Sequence, residues 1–222
     1  AVPTPQSVLG YPLGARFTPH HLLARYVERV ARAAPARVRL DTVARTFEGR
    51  ELLRVVIASE TNRARLDAVQ ADARRLADAP SLPADERAAL ERRLPHVVWL
   101  GFTVHGNEAS GAEAAMGVLY RLAAGRDAET RQVLDSVVVV MDPLQNPDGH
   151  ERHAQDVMRR SSALGTPTDP AATIHSGTWP GPRGSHYYFD LNRDWYTQSH
   201  PETRARIATM LAWWPHTAVD LH

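Results

Sequence analysis

Val97-Val-Trp-Leu-Gly-Phe-Thr-Val-His-Gly-Asn-Glu108 begins as an apolar run of strand length and ends in a polar tetrad, His105-Gly-Asn-Glu108. The run is rich in the β-branched and aromatic residues that suit a sheet. Two more apolar runs share this character, over 137–141 and 217–221. Patterns of helical length fall between them, over 111–123 and 201–213. Strands alternating with helices predict an α/β domain with a mixed, largely parallel sheet flanked by helices.

Upstream, 38–47 and 52–59 read as a hairpin around Glu48-Gly49-Arg50, where the glycine can take a positive φ. Before it, Thr18 is placed as an N-cap with Pro19 at the first helical position. The helix they open runs to about Ala34 with Leu22, Leu23, Tyr26, Val27 and Val30 on one side. Arginine-rich helices are predicted over 64–76 and 84–93. Residues 1–16, rich in Pro and Gly, read as an N-terminal arm, and 151–188 as a long functional loop.

Composition narrows the chemistry. At 222 residues and 43% hydrophobic, the chain can bury a large core, so disorder is not the default reading. A net charge of +1 lacks the basic footprint of a nucleic-acid binder and leaves peptides and small molecules as partners. With no cysteine, any metal must be held by His and carboxylates. No apolar run approaches the ~20 residues of a membrane-spanning helix. The start at Ala1 without Met fits either a mature secreted protein, hence an extracytoplasmic location, or a trimmed chain. No G-x-S-x-G elbow supports a serine hydrolase.

The unusual polar residues follow the apolar strands: His105 to Glu108 after the first, Asn146-Pro-Asp-Gly149 after the second, and His222 after the third. In open α/β sheets such strand ends converge on one crevice. His105 and Glu108, three apart, can present an imidazole and a carboxylate to one ion, and His222 supplies a third donor, leaving a position open for water. A further cluster, Tyr188-Phe-Asp-Leu-Asn-Arg-Asp-Trp195, offers Arg193 and Asn192 to grip a carboxylate. Alternatively, Arg193 pairs with Asp190 or Asp194 and ties down a loop.

Taken in order, His105-x-x-Glu108, Asn146-Pro-Asp-Gly149, Asp190-x-Asn192-Arg193-x-Trp195 and His222 resemble the zinc carboxypeptidase family typified by carboxypeptidase A. Phe47-Glu-Gly-Arg-Glu-Leu52 resembles that family's first hairpin. The resemblance implies that 17–222 is the N-terminal portion of a carboxypeptidase-like catalytic domain. It further implies one zinc ion on His105, Glu108 and His222, and a substrate carboxylate on Asn192 and Arg193. Asp190 would orient His105, a role with its own rationale, since a metal-bound His usually donates its second N–H to a carboxylate. Asn146 to Gly149 would form a tight turn. Arg160, or Arg159 beside it, would stabilise the oxyanion.

Two departures qualify the reading. Asn107 stands where digestive carboxypeptidases have Arg, a form similar to bacterial branches and to amidohydrolases that deacylate amino acids. The family's general-base glutamate and its tyrosine lie after the third ligand, so the expectation is a portion of a longer enzyme, inactive alone. The function expected is removal of C-terminal residues from peptides by a metal-activated water. The alternatives are a zinc deacylase of acylated amino acids and a catalytically silent domain that binds metal or peptide.

Overall fold

Thr4 opens the first helix, α1 (Pro5–Leu9), by accepting the Ser7 amide on its hydroxyl at 3.2 Å. The computed structural model describes residues 1–161 and 167–222. Within the N-terminal segment, Leu9 and Tyr11 are buried. Helix α2 (His20–Ala33) buries Leu23, Tyr26, Val27 and Val30, the side its periodicity predicts. Its N-cap is Pro19 rather than Thr18. Thr18 makes a tertiary contact instead, its amide donating to Glu113 Oε1 at 2.7 Å.

The expected hairpin is present as β1 (Val38–Arg45) and β2 (Glu51–Ile57), antiparallel, with Gly49 at φ +81° between them. Helices α3 (Glu60–Ala64), α4 (Leu66–Ala77) and α5 (Ala84–Arg93) lead to β3 (His96–Phe102). Then come α6 (Ser110–Ala124), α7 (Ala128–Ser136) and β4 (Val137–Asp142). The described chain closes with α8 (Pro147–Arg160), α9 (Pro201–Trp213) and β5 (Thr217–Leu221).

Short α1 lies within the expected arm and α3 precedes the helix expected over 64–76; beyond β3, two further helices differ from the sequence reading. α7 buries only Thr130 and Leu134, too few apolar positions for a visible period, although Asp127 caps it by accepting the Thr130 amide. α8 occupies the start of the stretch expected to be loop, because Asn146 caps it and Pro147 takes the first position, where no N–H is needed. The Asn-Pro-Asp-Gly segment is therefore a helix start, not a tight turn. The buried face of α8 consists of Pro147, Asp148, Gly149, His150 and Ala154, small or polar residues that leave no apolar stripe. Residues 162–166 of that stretch lie outside the described residues.

The sheet order is β1-β2-β4-β3-β5. β4, β3 and β5 run parallel, while β1, β2 and β4 meet antiparallel. The sheet is thus mixed, parallel only in its second half. β4 shows why its run is apolar at every position: Val139 and Met141 pack with α2 and α6 residues such as Val27 and Leu119, whereas Val138 and Val140 pack with Trp99, Val69 and Trp213. A strand covered on both faces has no polar side to alternate. Each fully buried Val stabilises the fold by about 1.5–3 kcal/mol relative to exposure.

Register fixes the site. Gly101 of β3 lies opposite Asp142 of β4 and Asp220 of β5. The parallel strands therefore end at one edge, and the segments carrying His105, Asn146 and His222 emerge side by side.

Candidate metal centre and carboxylate site

Thr103 turns the chain sharply at the end of β3, with φ 55°, a conformation strained for a β-branched residue. Hydrogen bonds hold it there: its amide donates to Leu221 O at 2.9 Å and its hydroxyl to Glu108 O at 3.2 Å. Gly106 then passes so close to the α8 start that a Cβ would lie 2.1 Å from Gly149 C and 2.4 Å from Pro182 O. Only glycine fits. Asn146 joins three segments, accepting the Gly149 amide on Oδ1 and donating through Nδ2 to Val104 O and Arg183 O, at 3.0, 3.2 and 3.1 Å.

That framework brings His105, Glu108 and His222 together, with one candidate ligand atom from each lying within 4.8 Å of the others. Nδ1 of His105 is 3.0 Å from both Glu108 oxygens, and Nδ1 of His222 is 3.0 Å from Oε2. The outer nitrogens face away from this centre. His105 Nε2 donates to Asp190 Oδ1 at 2.8 Å, while His222 Nε2 faces Asn192 Nδ2 at 3.4 Å and Asp220 Oδ2 at 3.8 Å. Burial alone would push the Asp190 carboxyl up, but hydrogen bonds from His105 and the Asn192 amide hold it below the usual carboxylate range. Two inward-facing imidazoles and one carboxylate suit a single divalent cation, with the rings braced from outside.

Glu48, Asp148 and His186 also cluster closely enough to bind a cation. There Arg50 Nη1 already bridges Glu48 at 2.5 Å and Asp148 at 2.7 Å. These contacts, with Thr46 donating to Asp148 at 2.8 Å, bind the first hairpin to the start of α8.

Beside the metal ligands, Asp190 starts a 3₁₀ turn, Leu191–Arg193, by accepting the Asn192 amide at 2.8 Å. Asn192 Oδ1 accepts from Trp195 Nε1 at 3.0 Å. Arg193 is exposed, and the one hydrogen bond of its side chain among the described residues goes to Asn192 O at 3.2 Å. The alternative in which Arg193 pairs with a neighbouring aspartate does not hold. Asp190 is engaged by His105, and Asp194 accepts from Thr197, Ser199 and His200.

The structure does not bring Arg159 or Arg160 into contact with the three ligands. Arg160, at the end of α8, is bound by Asp156 and by the carbonyls of Thr173 and Ser176. Arg159 lines a separate cavity of about 350 Å³ with Glu48, Arg50 and Glu151. The guanidinium at the centre belongs to Arg183, with Nη1 3.3 Å from Glu108 and Nε 3.6 Å from Asp190, and its side chain is half exposed. The sequence signals this residue weakly. Gly181-Pro-Arg-Gly184 marks a constrained loop, but nothing local says where that loop docks.

A mixed α/β sheet with a three-donor centre at its parallel strand ends, flanked by Arg183, which pairs with Glu108 and Asp190, and by the exposed Arg193, defines a metal-binding class of site. Residues 23–217 match the zinc carboxypeptidase family, and the chain belongs to it. The donor set fits that family's zinc ion, since no thiolate is needed and both imidazoles present Nδ1 to the same point. The fold is similar to carboxypeptidase A of Helicoverpa armigera, with TM-score 0.55, 14% identity, and 93% of this chain covering 46% of that one. It is similar to a metallo-carboxypeptidase from Burkholderia cenocepacia, with TM-score 0.55, 18% identity, and 91% of this chain covering 40% of that one. Bovine thrombin-activatable fibrinolysis inhibitor, solved with a tick carboxypeptidase inhibitor, gives TM-score 0.52 and 12% identity, with 94% of this chain covering 61% of that one. The chain thus spans less than two thirds of these structures. No curated protein matches by sequence.

Proposed function

We propose that the protein is a zinc-dependent carboxypeptidase that removes residues from the carboxyl end of peptides. The observation that carries this reading is Arg193, an exposed guanidinium with no carboxylate partner among the described residues, one residue from Asn192, which itself touches the metal ligand His222. A guanidinium fork presented this way recognises a carboxylate through paired hydrogen bonds. When bound, zinc supplies Lewis acidity, polarising a carbonyl and lowering the pKa of water toward ~7.

The chain's own residues do the rest. Asp190 accepts a hydrogen bond from His105 Nε2–H, which keeps the proton on Nε2 and leaves the Nδ1 lone pair free as a donor. Asn192 and Arg193 orient the terminal carboxylate. Arg183 meets the negative charge that develops as the carbonyl is attacked, the part the sequence reading gives to Arg160 or Arg159. Glu108 and Asp190 are both engaged by His105, so neither is free to serve as general base, and we assign that task to no described residue.

Matched peptides with free and amidated C-termini test the reading. The free acid should be hydrolysed at least about tenfold faster, the discrimination expected from one lost charge-assisted contact. Equal turnover would sink the reading, and turnover of N-acyl amino acids alone would favour a deacylase. Arg183→Met should lower kcat by about 10²–10³ with KM little changed, as for loss of a donor to a developing oxyanion.

A further inference from the structure

Behind the site, α9 carries a buried charge whose hydrogen bonds go to neutral groups. Arg206 is 4% exposed. Its Nη1 donates to Gln145 Oε1 at 2.5 Å and its Nη2 to Leu191 O at 3.3 Å, while its Nε has no partner among the described residues. The carboxylates of Asp220, Asp142, Asp194 and Glu202 lie near enough to offset part of the cost of burying this cation, but none of them bonds it directly among the described residues. What the guanidinium offers that an apolar side chain of the same volume cannot is a fixed fork of donors.

Both arms of the fork lead to the site. Along the first, Gln145 Nε2 donates to Asp220 Oδ1 at 2.8 Å, and Asp220 Oδ2 stands 3.8 Å from Nε2 of His222. Along the second, Leu191 lies in the turn that presents Asn192 and Arg193. The guanidinium carbon also stacks 3.9 Å from the Trp195 ring centre, and Trp195 Nε1 donates to Asn192. Because the guanidinium is planar and rigid, the two arms fix the angle between what they hold.

We propose that Arg206 is a positioning residue that sets the third metal ligand, His222, and the carboxylate-binding pair Asn192 and Arg193 in register with each other. The second half of this statement rests on the carboxypeptidase reading; the first does not. The two arms make different demands. Loss of the Gln145 arm loosens His222, and so the metal. Loss of the stacking on Trp195, which accompanies the Leu191 arm, loosens Asn192, and so the preference for a free carboxyl terminus.

The test uses the full-length protein and measures zinc affinity by chelator competition alongside kcat and KM for matched free and amidated peptides. Arg206→Met should fold, as judged by circular dichroism, bind zinc about tenfold more weakly, and lose about tenfold of its free-acid preference through KM. Arg206→Lys keeps the charge without the fork and should restore neither property. Gln145→Met should weaken zinc binding alone, and Trp195→Phe should reduce free-acid preference alone. Unchanged zinc affinity and preference in Arg206→Met would overturn the proposal, as would identical effects from the two single-arm variants. If Arg206→Met fails to fold, the single-arm variants decide. If the wild type shows no preference for the free acid, the carboxypeptidase reading fails, and the zinc measurements still judge the Gln145 arm.

Discussion

His105 is occupied at both ring nitrogens, facing Glu108 on one side and donating to Asp190 on the other. Asp190→Ala removes the acceptor that fixes its tautomer, so zinc affinity should fall about 10–100-fold with the fold intact, measurable by competition with an indicator. Glu202 presents a different problem, since both of its buried oxygens lack partners among the described residues. Burial pushes its carboxyl from 4.5 up to about 7. Between those values the folded state binds more protons than the unfolded one, so stability falls as pH rises through that window. Urea unfolding should give a stability at pH 8 lower than at pH 5 by on the order of 2 kcal/mol, and Glu202→Gln should remove most of that slope. Asp142, pushed by burial from 3.8 to about 6, has the same sign and should keep a residual slope. A flat wild-type profile would contradict both assignments. The cluster of His105, Glu108 and His222 is legible in sequence because donor type and strand-end position are local properties. Arg183 is not, because only the docking of a distant loop brings it to Glu108.

Among the elements, α8 shows most clearly how a helix can start without an apolar stripe. Asn146 supplies the cap and also satisfies Val104 O and Arg183 O. Asn146→Ala should therefore destabilise by about 2 kcal/mol, at the upper end for a lost cap, because two carbonyls lose their donor as well. Denaturant melts can check this, and a loss below about 0.5 kcal/mol would show the cap to be incidental. The same element marks the limit of sequence reading. Strands β3 and β4 are readable because burial on both faces makes them apolar throughout, and α2 because Leu23, Tyr26, Val27 and Val30 repeat on one side. α8 buries Asp148 and His150 where a pattern search expects aliphatic groups.

For the molecule as a whole, the core and the metal centre are separate sources of order. Apolar clusters fill both faces of the sheet, from Tyr26 and Met116 on one to Trp99 and Trp213 on the other. The fold should therefore survive chelation, unlike small domains that metal alone folds. Treatment with a zinc chelator should preserve the far-ultraviolet circular dichroism and lower Tm only as mass action requires. Loss of a cooperative melt would show that the metal holds the fold. No helix among the described residues is long and apolar enough to cross a membrane. The near-contact of Gly106 with Gly149 has a further consequence, for laboratory evolution of the protein. A side chain at Gly106 would force the backbone carrying His105 away from the start of α8, and one at Gly149 would run into the carbonyls of Pro182 and Gly184 in the loop carrying Arg183, so libraries randomised there should yield inactive clones whatever substrate is selected. Diversity aimed at new specificity belongs instead at exposed neighbours such as Asn107, where the backbone does not depend on the side chain chosen.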